Sequence, residues 1–214
     1  MGTPHSTSST PDSAATAPAG TQERLIASTR ELLWERGYVG TSPKAILERA
    51  GVGQGSMYHH FTGKSDLALA AIRRTAEDMQ RAAEECLAGP GTAYDRVAAY
   101  LLRERQVLRG CPIGRMAQDR DVVRSPELRQ PLDETFGRLR HRIAEVLAEG
   151  QRRGELAAGL DPVATAAAVA AVVQGGYVLA RAAEDTAPFD AAVRGVLALL
   201  AAQTVTPAPS PGTP

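Results

Sequence analysis

The sequence predicts an all-α fold in two parts. A small N-terminal helix-turn-helix unit of three helices precedes a larger C-terminal helical unit. Three observations carry that reading. Aromatic residues make up only 4% of the 214 residues while hydrophobic ones reach 43%, with alanine abundant, a balance that disfavours strands and suits helices. Apolar residues recur at helical spacing. Glycine and proline fall between those recurrences, where helices stop and start.

The charge balance excludes one class of function at once. Twenty-four Lys and Arg against 24 Asp and Glu leave a net charge of zero, so binding by bulk polycation attraction is ruled out. Only Lys44 and Lys64 are lysines; the remaining cations are arginines. No uninterrupted apolar run approaches the roughly 18 residues a membrane span needs, and no membrane partner is expected. Cys86 and Cys111 form neither a disulfide framework nor a metal-ligand pair. A reducing cytoplasm is the expected location.

Residues 1–20 and 204–214 are rich in Ser, Thr, Pro, Ala and Gly and are expected to be disordered tails. The N-terminus lacks the apolar stretch of a secretory signal. Met1-Gly2-Thr3-Pro4-His5-Ser6 fits a loose myristoylation pattern, read as a chance match because no basic patch follows. The helix-turn-helix unit is expected over 21–68 and the larger unit over 69–203.

Leu25, Ile26, Thr29, Leu32 and Leu33 share one face of a first helix, which Gly37 ends. Thr41-Ser42-Pro43 reads as a hydroxyl cap followed by proline at the first helical position. The short helix so begun runs to Ala50, turns Ile46, Leu47 and Ala50 inward and ends at Gly51. A third helix starts at Gly53 or Gln54 and reaches Phe61, with Met57, Phe61 and Val52 expected in the core. A longer helix follows from Gly63-Lys64-Ser65-Asp66. Two short helices joined by a glycine turn describe a helix-turn-helix, whose second helix enters the major groove of DNA.

The local charge agrees. Residues 21–70 carry six Lys or Arg against five acids, yet no acidic residue occurs from Ala50 to Ser65, a window that holds His59 and His60. A carboxylate facing phosphates would be costly there. Adjacent helical residues diverge by about 100°, so the His-His pair is not read as a metal site.

Thr41 to Ile46, Ala50 to Phe61 and Lys64 closely resemble the N-terminal domain of TetR-family repressors. The resemblance covers about residues 22–72. It implies that Gln54, Gly55, Ser56, Tyr58 and His59 contact the groove of a double-stranded operator, that Ser42, His60 and Lys64 hold phosphates, and that Lys44 reaches either a base or the backbone. The chemistry suits those roles. Gln54 can pair bidentately with an adenine edge, and Gly55 lets the backbone approach closely. Phosphate contacts set register without conveying sequence. The chain departs from the family at Gly53, where serine or threonine is common, and at Gln54, where lysine is common. Gly53 caps more weakly, and Gln54 removes one positive charge, which points to stronger reliance on base and shape reading.

Beyond Gly89-Pro90-Gly91 the elements lengthen. A helix is expected from Thr92 to Leu108. Gly110-Cys111-Pro112-Ile113-Gly114 forms a break and opens a piece over 112–122; it also looks like the stretch found in the antibiotic-efflux repressor subgroup of the family. Ser125-Pro126-Glu127 starts a helix to about Arg153 that Pro131 bends or delays. Asp161-Pro162 opens a helix to about Glu184, and Pro188-Phe189 the last, to about Gln203.

Small residues thin the first of these last two helices (Ala164, Ala167, Ala168, Ala171, Gly175, Ala182), and Val193, Val196, Leu197 and Leu200 stripe the second. A homodimer through helices 161–184 and 188–203 would bury both in a four-helix bundle, as the family resemblance also implies. Tyr100, Met116, Phe136, Leu139, Gln174 and Tyr177 are candidates to line a pocket for a small apolar effector. No phosphate loop, GxGxxG, GxSxG or HExxH string occurs, so neither enzyme chemistry nor a cofactor is expected. The sequence therefore reads as a dimeric, ligand-released transcriptional repressor.

Overall fold

The computed structural model describes residues 20–205; the expectations for 1–19 and 206–214, the myristoylation match included, lie outside the described residues. Ten α-helices appear among the described residues: α1 Thr21–Arg36, α2 Pro43–Ala50, α3 Gln54–His60, α4 Lys64–Leu87, α5 Ala93–Leu102, α6 Pro112–Ala117, α7 Arg120–Arg124, α8 Pro126–Arg152, α9 Pro162–Ala183 and α10 Ala187–Ala201. The only extended pairing described is an isolated bridge between Leu156 and Thr204. The fold is all-α.

Local chemistry explains most boundaries. Ser42 caps α2 by accepting from the Ala45 amide at 3.1 Å, and Pro43 follows at the first helical position. Gly51 ends α2 at φ 61°, ψ 43°, a left-handed turn that glycine adopts without strain. Thr92 and Asp95 form a capping box at α5. Ser125 and Asp161 cap α8 and α9, each ahead of a proline.

Two cores result. Leu25, Ile26, Leu32, Ile46, Ala50, Met57, Phe61 and Leu67 close the small N-terminal unit. Leu33, Ala68 and the buried faces of α4 to α10 form the larger one. The handover falls between Leu67 and Ala68, within the unbroken α4. In the larger unit α4 packs on α8, α8 on α9, and α9 on α10.

Four expectations need correction. The helix from Thr92 stops at Leu102 rather than Leu108. Beyond it the Arg105 guanidinium donates to the carbonyls of Leu101 (2.7 Å), Arg103 (2.8 Å) and Tyr100, supplying the partners that further helix would have given. Residues 112–122 hold two short helices, because Asp119 caps a new start. Pro131 does not delay α8, which begins at Pro126 and continues through it; only the first-turn carbonyl of Glu127 loses a partner. Finally Val193, Val196 and Leu200 are buried within the chain's own core and Leu197 packs against it, so the stripe on α10 serves the protomer. The outward face of α10 instead presents Ala191, Gly195, Ala198 and Leu199.

The C-terminal boundary also shifts. Thr204 and Val205 are not loose: the Val205 amide donates to the Glu155 carbonyl at 2.9 Å. By length and composition α9 is apolar enough to cross a membrane. Here Val169, Val173, Tyr177 and Ala180 are buried on the core side, while Ala164, Ala167, Ala168, Ala171, Gly175, Val178, Leu179 and Ala182 are exposed.

Candidate nucleic-acid interface

Helix α3 is seated by two side chains, Met57 and Phe61, both buried in the small core. They lie one turn apart and fix which way the short helix faces. Gln54, Gly55, Tyr58, His59 and His60 are consequently exposed, and Ser56 is half-buried. Tyr58 stands 55% exposed, a large aromatic surface that the protein leaves to water. The His59 and His60 rings meet edge to face at 4.9 Å. A Cβ added at Gly53 or Gly55 would meet nothing within 4 Å, so the protein itself does not require glycine there. Glycine there leaves room for an outside surface to approach the backbone.

The expected phosphate holders flank this helix. The Ser42 side chain accepts from Ala45 and retains its own hydroxyl proton to donate. Lys44 is exposed, its Nζ 3.8 Å from Glu48 across one helical turn, a pairing weak enough in water to exchange for a phosphate. Lys64 is placed differently. Its Nζ lies 4.1 Å above the Tyr38 ring, and partial burial lowers its pKa while Asp119 and Asp121 act to raise it. The nearest acid in sequence, Asp66, is tied into the preceding turn by the Thr62 amide (3.0 Å) and hydroxyl (3.3 Å).

A seam of contacts that the sequence did not reveal holds this unit to the larger one. Trp34 donates from its indole Nε1 to the Gly110 carbonyl at 3.0 Å. The Arg109 guanidinium stacks 3.7 Å from the Trp34 ring centre and pairs with Glu31. Asp119 accepts from the Val39 amide at 3.0 Å. The only available signal was Trp34 itself, the single tryptophan, which sits off the apolar stripe of α1.

The six residues expected to line one effector pocket are divided among separate places. Tyr100 and Leu139 line a cavity of about 760 Å³ between α4, α5 and α8. Phe136 is half-buried against the core and does not line this cavity. Met116 lies elsewhere, fully buried near Trp34 and Ile113. Gln174 and Tyr177 line a smaller recess of about 190 Å³ against α6. The division follows from α6, which inserts Ile113 and Met116 into the core between regions the sequence order had placed together. The large cavity is also less apolar than expected. Met79, Ala83 and Leu87 line it, but so do Glu84, Arg103 and Arg142. Among the described residues no cluster of three or more His, Cys, Asp or Glu could hold a metal ion.

Comparison with known proteins agrees with this architecture. Residues 25–71 match the bacterial regulatory proteins of the tetR family, and residues 92–196 match the tetracyclin repressor-like C-terminal domain. A solved TetR transcriptional regulator from Chloroflexus aurantiacus superimposes with a TM-score of 0.78 at 28% identity, covering 86% of this chain and 96% of that one. The reduced form of Escherichia coli NemR gives 0.74 at 26% identity over 88% and 100%. An HTH-type transcriptional regulator of Lactococcus lactis is 27% identical over 77% of this chain and 85% of its own.

Proposed function

Since the chain belongs to the TetR family of DNA-binding transcriptional regulators, we propose that it is a homodimeric repressor that reads a palindromic operator through α3 and is released by a small-molecule effector. Regulation of transcription, not catalysis, is the family's activity. The observation that carries the proposal is α3 itself. Its inner side is locked by Met57 and Phe61, and its outer side offers Gln54, Gly55, Tyr58 and His59 on a stretch cleared of acids. Such a helix placed in the major groove can read base edges, while Ser42, Lys44, His60 and Lys64 hold the flanking phosphates and fix register.

Pairing is part of the reading because one seven-residue helix spans few bases, whereas two related by a twofold axis read a palindrome. The outward face of α9 and α10 supports it: Val163, Val178, Leu179 and Leu199 are exposed beside a row of small residues. Exposed apolar patches of this kind mark interfaces. Repression is the direction suggested by the relative named HTH-type transcriptional repressor NemR. The expected site of action is the cytoplasm.

The cavity between α4, α5 and α8 is the place for the effector. Its volume lies within the roughly 300–1,000 Å³ typical of small-molecule sites. Apolar Met79, Ala83, Leu87 and Leu139 offer a floor for the body of a ligand, and the charged lining favours one with polar groups at its edge. Strong relief of repression needs the ligand to favour the non-binding state by about 5 kcal/mol. Electrophoretic retardation of DNA flanking the gene tests the proposal. We expect a retained twofold-symmetric site, weakened in Tyr58→Ala. A thermal-shift screen tests the effector, since a ligand of the folded state raises the melting temperature by mass action. If no small molecule raises it and also releases the DNA, the effector part fails.

A further inference from the structure

The segment from Arg103 to Arg115 carries three arginines that enter the protein without meeting an acid. Among the described residues the Nε atoms of Arg103, Arg105 and Arg115 are buried and have no hydrogen-bond partner. Other arginines of this chain behave differently: Arg96 reaches Glu149 at 2.7 Å and Arg142 reaches Glu84 at 2.9 Å. Arg105 donates to backbone carbonyls and lies 5.2 Å from the Tyr100 ring centre and 5.8 Å from that of Phe189. Arg103 stands 5.3 Å from the same Tyr100 ring. Carbonyls and ring faces supply partial negative charge but no counterion. Burial lowers the Arg105 pKa from the usual arginine value, the direction expected for a cation short of an anion.

Of the three, Arg103 lines the larger cavity, and Arg115 alone lines the recess of about 190 Å³ between α6 and α9. Arg115, Arg181, Gln118, Gln174 and Tyr177 line it, together with the backbone at Gly114, and no acidic side chain does. It shares no lining residue with the larger cavity. We propose that this recess binds a small oxyanion, held by the Arg115 and Arg181 guanidinium groups with Gln118, Gln174 and Tyr177 donating from the sides. Guanidinium forks match the paired oxygens of carboxylates and phosphates. The recess is small for the effector of the larger cavity and suits a compact anion. The site is distinct from that effector cavity and from α3.

Its position gives the bound anion a direct mechanical consequence. Gly110, Gly114 and Arg115 line the recess. The same short segment carries the contacts to the DNA-reading unit: Gly110 accepts from Trp34, and Ile113 and Met116 lie against Leu33, Trp34 and Ile72. An anion drawing Arg115 toward α9 therefore acts on the element to which α1 is fastened.

The test uses the full chain and follows its melting temperature in sodium propionate, potassium phosphate or sodium chloride at matched ionic strength. We expect a saturable rise with at least one oxyanion and none with chloride. The salt that saturates at the lower concentration tells whether the site prefers carboxylate or phosphate. Arg115→Gln is expected to weaken the response on the order of 30-fold, as loss of a charge-assisted partner does. Arg152→Gln, on the exposed end of α8, should leave it unchanged. Gln174→Glu brings a carboxylate into the recess on the protein itself; it should raise the melting temperature in chloride and abolish the oxyanion response, and it keeps the test sound if Arg115→Gln does not fold. Equal responses to all three salts would overturn the proposal. So would an oxyanion response that survives both recess substitutions. Operator binding is measured separately in chloride alone, so failure of the anion site leaves the proposed function standing.

Discussion

At the scale of single residues, the role proposed for α3 separates stability from recognition. Met57 is fully buried and anchors the helix, so Met57→Ala should cost roughly 2–5 kcal/mol of stability, read as a lowered denaturant midpoint. Tyr58, one position on, faces water. Tyr58→Ala should leave the melting temperature nearly unchanged and weaken operator binding roughly 10- to 100-fold, measured by fluorescence anisotropy. Gly55→Ala gives a sharper contrast. Its Cβ meets nothing in the protein and alanine favours helix, so stability should rise by about 0.5–1 kcal/mol. On the proposed docking of α3 in the groove, binding should nevertheless fall, because the Cβ would stand where the DNA approaches. These residue assignments came from resemblance and local pattern. The structure adds the seating of α3 and the Tyr38 ring beneath Lys64, a contact between residues 26 positions apart that no local spacing announces.

At the scale of elements, two adjacent glycines in α9 report on different neighbours. A Cβ at Gly176 would lie 2.8 Å from Phe189 Cδ2, while one at Gly175 would meet nothing within 4 Å. Gly176→Ala should therefore destabilise the α9–α10 packing by about 1–3 kcal/mol, visible in thermal unfolding. Gly175→Ala should spare the packing of the protomer. Helix identities were largely legible in the sequence, since caps, prolines and apolar spacing are local signals: Ser42-Pro43, Ser125-Pro126 and Asp161-Pro162 all start helices. What escaped depended on distant partners. The early end of α5 is set by the Arg105 guanidinium folding back. The α10 stripe of Val193, Val196 and Leu200 has the same spacing whether it meets its own core or a second chain, so periodicity could not tell which. The candidate pocket divided for a related reason: the path of α6 through the core, not the sequence order, decides which side chains share a cavity.

At the scale of the whole molecule, zero net charge and operator recognition are reconciled by distribution. The acids absent from residues 50–65 sit elsewhere, many in ion pairs such as Arg142 with Glu84 and Arg30 with Asp78. Salt dependence of binding should accordingly be moderate, set by a few phosphate contacts, and Lys44→Gln should reduce the salt slope by about one. Dimerisation belongs to this scale too. Leu179 and Leu199 are 56% and 72% exposed on the face assigned to pairing. Leu179→Arg should give a folded monomer by light scattering and lose operator affinity even with α3 intact. The most direct test of the account is a hydroxyl-radical footprint of the protein on the DNA flanking its gene. Two protected patches related by a twofold axis are expected, both needing roughly 10- to 100-fold more protein in Tyr58→Ala. A single unsymmetrical patch, or a footprint unchanged by Tyr58→Ala, would contradict the account.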